Sequence, residues 1–87
     1  MRFWARTFKN NRMLRDTVVE YYSEDTRTHK VFRALDEACR EFDLQRPIWL
    51  EINQQDFKKH RKTRFTADSF IESIDFDFLE FMIIEED

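Results

Sequence analysis

Residues 2–22 read Arg2-Phe3-Trp4-Ala5-Arg6-Thr7-Phe8, then Lys9-Asn10-Asn11-Arg12, then Met13-Leu14-Arg15-Asp16-Thr17-Val18-Val19-Glu20-Tyr21-Tyr22. Aromatic and β-branched side chains favour the pleated backbone of a strand, and both long runs are rich in them. Two adjacent asparagines tolerate the left-handed conformation that a tight turn requires and that glycine usually supplies. The stretch therefore predicts a β-hairpin of residues 2–8 and 13–22. Its simplest register sets Phe8 opposite Met13, Trp4 opposite Thr17 and Phe3 opposite Val18. The same register opposes Arg6 and Arg15, a repulsive pair unless an acid lies beside it, and the acidic C-terminal segment is the candidate neighbour.

Downstream, the hydrophobic period changes. Val31, Phe32, Leu35, Ala38, Cys39 and Phe42 recur at three- and four-residue spacing, which predicts a helix over Thr28–Phe42. Arg33 with Glu37 and Asp36 with Arg40 stand four apart on its other side. Ser23, Asp25, Thr26 and Thr28 are candidate N-caps, and Pro47 lies beyond the helix end. Ile48-Trp49-Leu50-Glu51-Ile52 reads as a short strand or equally as a loop plugged into the core. Asn53 and Asp56 resemble a capping box before a short basic helix, Gln54–Arg61, whose only apolar anchor is Phe57. Residues 66–74 form a helical turn or an irregular connection, with Phe70, Ile71 and Ile74 inward. Phe76–Ile84 predicts a strand with apolar residues on both faces, hence a central or covered one. The fold class is thus α+β: a mostly antiparallel sheet of about four strands with one long helix packed on one face, in the order β-β-α-β-(α)-β.

A chain of 87 residues is expected to be a single domain, 1–87. Ten Phe, two Trp and two Tyr promise a substantial core, since each ring buries roughly 150–250 Å². The chain has no glycine, which excludes the phosphate-binding loop, the dinucleotide fingerprint, the EF-hand loop and the nucleophile elbow. One cysteine, Cys39, permits no internal disulfide and fits a reducing compartment. The opening residues lack the apolar stretch of roughly 7–15 residues found in signal peptides. A cytoplasmic protein that neither enters nor crosses a membrane is the expectation.

Charge is unevenly distributed. Residues 1–15 carry +5, 16–55 carry −4, 56–67 carry +4 and 68–87 carry −8, within a net −3. Two readings follow. Either the basic and acidic blocks neutralise one another in the fold, or a basic face stays exposed to a polyanion. The sequence pI of 5.4 favours internal neutralisation, because nucleic-acid binders usually carry a basic footprint.

Few side chains carry a chemical signal. His29 and His60 lack a second ligand at metal spacing, Cys39 shares an apolar stripe and reads as a small core side chain, and Asp75 with Asp77 reads as solvated strand-end carboxylates. No catalytic residue, metal or cofactor is expected. The sharpest candidate is Lys58-Lys59-His60-Arg61-Lys62-Thr63-Arg64-Phe65. Its cations Lys58, Lys59, Arg61, Lys62 and Arg64 can neutralise phosphates, and Phe65 or Trp49 offers a ring for an unpaired base. Trp4, Tyr21, Tyr22 and Trp49 are the candidates for a protein interface, because so many rings in a small domain are hard to hide.

Asp25-Thr26-Arg27-Thr28-His29-Lys30-Val31-Phe32, Phe42-Asp43-Leu44, Pro47-Ile48-Trp49-Leu50 and Lys62-Thr63-Arg64-Phe65 through Phe70-Ile71-Glu72 resemble a family of small bacterial proteins of no assigned function. The resemblance spans nearly the whole chain and implies a stand-alone cytoplasmic protein, but it brings no site residues. The expectation is a non-enzymatic module that binds another protein, a second copy of itself included. The alternative is a single-stranded nucleic-acid binder working through residues 58–64.

Overall fold

Asn10 and Asn11 adopt φ of 52° and 63°, and the hairpin turns on them as the sequence predicts. In the computed structural model, which describes residues 1–87, β1 spans Arg2–Lys9 and β2 spans Arg12–Glu20. Phe8 does face Met13, but the register then slips: Thr7 pairs with Arg15, Arg6 with Asp16, Trp4 with Val18 and Phe3 with Val19. A bulge at Leu14 causes the slip and corrects the expected pairing of Arg6 with Arg15. Arg6 gains a carboxylate opposite it, and the like-charge pair does not form.

The helix α1, Arg27–Glu41, starts at Thr26, whose side-chain oxygen accepts from the His29 backbone N–H at 3.2 Å. It ends in a Schellman arrangement. Asp43 takes φ 52°, its N–H donates to the Arg40 carbonyl at 3.1 Å, and Leu44 N–H donates to the Cys39 carbonyl at 2.8 Å. An aspartate fills a place that usually goes to glycine. Val31, Ala34, Leu35, Ala38 and Cys39 form the buried stripe. The pairs expected along the helix are replaced by others, Arg33 reaching Asp25 and Asp36 reaching Arg46.

Residues 48–52 are not a strand but the plug. Pro47 is buried, Ile48 N–H donates to the Ser69 carbonyl at 2.7 Å, and the chain enters α2, Glu51–His60, at Leu50. With three consecutive large apolar residues there is no period to hold a strand face, so Trp49 turns inward alone. Asn53 is therefore the third residue inside α2 rather than its cap, and its side-chain carbonyl accepts the Leu50 N–H at 3.0 Å. The missing strand is β3, Lys62–Phe65, cut from the basic segment, and β4 is Phe78–Glu85. The sheet is fully antiparallel in the order β2-β1-β4-β3, with β4 central as its two apolar faces require.

Both helices pack on one face of the sheet. Phe3, Phe65, Leu79 and Phe81 from the strands meet Leu35, Ala38 and Phe57 from the helices in a single core. Its rings form a chain: Phe3 stacks on Phe81 at 5.4 Å and Phe81 on Phe57 at 5.9 Å. The opposite face carries no helix. No helix of the chain is long and apolar enough to cross a membrane.

Candidate protein-interaction site

Even-numbered residues of β1 point to the uncovered face, where register aligns Asp16, Arg6, Glu80 and Arg64 across all four strands. Charges alternate along this row. Both arginines donate to Glu80, which is buried. Burial alone pushes the Glu80 carboxyl upward, but the hydrogen bonds from Arg64 and Arg6 and their charges outweigh it and hold the group below its ordinary range. The aromatic side chains beside this row are covered by the same cations. The Arg6 guanidinium lies 4.0 Å from the Trp4 ring and 5.1 Å from Phe8, and Arg64 lies 4.6 Å from Phe78. Trp4 Nε1 donates to Asp16 at 2.9 Å. Trp4, a predicted interface residue, is thus half-buried and engaged on its ring face and at its nitrogen.

The acidic tail is largely committed as well. Glu85 meets Arg2 at 3.9 Å, Glu86 meets Arg27 at 2.9 Å and Arg61 at 3.5 Å, and Asp87 binds Lys30. Hydrogen bonds from Lys30 and the Met1 amino group keep the Asp87 carboxyl below its usual value. The basic segment therefore divides by residue type. Arg61 and Arg64 pair with Glu86 and Glu80, whereas Lys58, Lys59 and Lys62 are exposed with no carboxylate within 4.0 Å. Phe65, the expected stacking ring, has no exposed surface.

One buried side chain that sequence reasoning treated as a cap organises this region. Asn53 donates to Thr63 Oγ1 at 2.9 Å and to the Arg64 carbonyl at 3.0 Å, and it accepts from Ser69 at 3.4 Å as well as from Leu50. It fastens α2 to β3 and supplies the tertiary support that a polar helix with Phe57 as its anchor needs. An asparagine preceded by Ile52 and followed by polar residues is the available signal, and it fits a cap equally well.

Trp49 sits on the other side of the sheet from Trp4. Its ring meets Phe65, Phe57 and Phe32 edge-on, at centroid distances of 4.9, 5.4 and 6.0 Å. Trp49, Phe57 and Phe32, with Val31, floor a groove of about 270 Å³ between α1 and α2, and Arg27 and Lys58 stand on its rim. Trp49 Nε1 is buried and has no hydrogen-bond acceptor, a costly state for a donor. The remaining interface candidates lie elsewhere: Tyr21 packs partly against the core, and Tyr22 is 62% exposed beyond β2. The four residues do not form one patch.

Groups with catalytic potential do not converge. His29 and Cys39 are ten residues apart on α1, about 15 Å along the axis, and His29 Nδ1 lies 3.0 Å from Asp25. Burial drives the Cys39 thiol up to about 12, so it holds almost no thiolate at neutral pH. Asp77 accepts the Asn10 N–H at 2.9 Å. No group of three or more His, Cys, Asp or Glu side chains is placed to hold a metal ion. No protein-family model, curated protein or solved structure matches the chain. The reading of its function therefore rests on the groove and the surfaces around it.

Proposed function

We propose that this chain is a non-enzymatic cytoplasmic module that binds protein, with a second copy of itself as the first partner, and that the α1–α2 groove is its recognition surface. The observation that carries this reading is the aromatic groove between α1 and α2, lined by the half-buried Trp49 ring and by Phe32, which is 40% exposed. Interface cores are enriched in aromatic residues, and a half-buried tryptophan is the residue type most often decisive in them. Multi-angle light scattering on the purified protein is the test. A reversible dimer at micromolar to submillimolar concentration is expected, and a monomer throughout that range removes self-association.

A second reading, single-stranded nucleic acid on the basic segment, is supported by the exposed, unpaired Lys58, Lys59 and Lys62. It has less in its favour, because Arg61 and Arg64 are held by acids and Phe65 is enclosed. Binding that weakens steeply with salt is its signature, and a flat anisotropy titration at low salt ends it.

A further inference from the structure

We propose that the segment centred on Ile71 in one copy of the chain docks into the α1–α2 groove of a second copy. This inference rests on the interaction-module reading above and gives it an occupant.

The segment does not behave as its sequence predicts. Phe70 is buried and Ile74 packs against the core, but Ile71, expected to point inward, is 78% exposed, the highest value among the large apolar side chains. A loop that buries two of its three apolar side chains and presents the third has a surplus contact to make. The flanking charges supply direction. In the acidic block, Glu80, Glu85, Glu86 and Asp87 are paired within the chain, whereas Asp68, Glu72 and Asp75 have no cation within 4.0 Å. Among the charges that internal pairing leaves free, the lysines at the end of α2 and the carboxylates around Ile71 are opposite in sign.

The groove answers each feature of the segment. Its floor of Val31, Phe32, Trp49 and Phe57 accepts a branched aliphatic side chain, and Lys58 on the rim, beside an Arg27 already paired with Glu86, faces incoming carboxylates, with no acid among the lining residues. Ile48 N–H to Ser69 carbonyl, 2.7 Å, holds the loop beside the strip that carries Trp49. Donor and acceptor surfaces so placed allow a reciprocal exchange about a two-fold axis, in which each copy gives one loop and receives one.

Sedimentation velocity at micromolar to submillimolar concentration tests the contact, with circular dichroism to confirm that each variant is folded. The wild-type chain is expected to dimerise reversibly, and less so as salt is added. Ile71→Ser, at a site exposed in the single copy, weakens the dimer roughly tenfold to a hundredfold. Lys58→Glu weakens it as well, while an Asp68→Lys, Glu72→Lys double variant mixed with Lys58→Glu associates more tightly than either does alone. Val18→Lys on the uncovered sheet face leaves the dimer unchanged. A wild-type dimer indifferent to Ile71→Ser and Lys58→Glu overturns this docking and leaves self-association standing, whereas a wild-type monomer overturns both.

Discussion

The uncovered sheet face and the α1–α2 groove are built from the same materials, tryptophan, phenylalanine and basic side chains, yet they end in opposite electrostatic states. On the sheet face the cross-strand register delivers an acid to every arginine and an arginine to every ring: Asp16, Arg6, Glu80 and Arg64 alternate, and Trp4, Phe8 and Phe78 lie beneath guanidinium groups. Each such ring contact contributes about 0.5–2 kcal/mol depending on desolvation. In the groove no guanidinium covers the Trp49 ring and Lys58 has no acid. The difference shows that an open sheet face is not by itself a docking surface. What marks a surface for a partner is an open aromatic floor beside a cation that the fold leaves without an acid.

The comparison requires the inward stripe of α1 to be closed while its margin at Phe32 is open, and Cys39 reports on the closed side. With its thiol pushed up to about 12 from an ordinary 9.0, the thiolate fraction at pH 8 falls roughly a thousandfold. Reaction with Ellman's reagent is expected to be slower than for the unfolded chain by at least that factor. Ready labelling of the native protein breaks the picture of a sealed core.

Glu80→Gln tests the sheet face directly. Removing the charge leaves the Arg6 and Arg64 guanidinium groups without their shared anion, in a setting where Arg6 Nε already lacks an acceptor. Breaking such a buried pair costs about 3 kcal/mol, at the low end of its range because Arg64 is largely exposed, or a fall in Tm of roughly 12–24 °C. Lys58→Gln in the groove is expected to change stability by less than about 0.5 kcal/mol. Acid separates the two faces again. Because the folded-state pKa of Glu80 lies below its ordinary 4.5, its contribution is complete above about pH 4.5 and is lost as pH falls through the lower folded value. Urea midpoints for wild type and Glu80→Gln should therefore converge on acidification, and curves that stay parallel to pH 3 remove the ion-pair account.

The two tryptophans provide a smaller and sharper contrast. Trp4→Phe forfeits the 2.9 Å bond to Asp16 and part of the Arg6 contact, an expected loss of about 1–1.5 kcal/mol. Trp49→Phe removes a donor that has no acceptor, so relief of roughly 1–3 kcal/mol offsets the lost packing and the net change is small. Chemical denaturation of both variants decides it, and a larger cost at Trp49 than at Trp4 reverses the assignment of satisfied and unsatisfied indoles.

Elements whose signal is local were legible in the sequence. The Asn10-Asn11 turn, the α1 stripe and the two-sided β4 each follow from residue type and period within one segment. What escaped depends on distant partners. The bulge at Leu14 brings Asp16 opposite Arg6 in a row that continues through Glu80 on β4, some 70 residues away, and nothing within the hairpin demands it. The strand β3 has only Thr63 and Phe65 facing the core, two alternating positions inside a run of cations, so the charge masks the period. At the candidate site, Trp49 was legible as a prominent ring, but the outward turn of Ile71 was not. Its neighbours Phe70 and Ile74 fill the available core space, and an apolar side chain at the wrong phase of an irregular loop has no periodic signature.

The smallest effect concerns the turn that joins α2 to β3. In a chain without glycine, Arg61 caps α2 in the left-handed conformation at φ 57°, which costs a side chain with a Cβ about 1–2 kcal/mol. Arg61→Gly removes that strain, adds the entropy cost of glycine in the unfolded chain and gives up the exposed 3.5 Å contact with Glu86, whose worth is about 0–1 kcal/mol. The balance favours a gain of about 0.5 kcal/mol, readable as a small rise in urea midpoint. Self-association should persist, because Lys58 and the groove floor are untouched. A loss of stability would mean that the Glu86 pair outweighs the backbone, and the charge-locked arrangement now confined to the sheet face would then extend to the end of the helix that borders the groove.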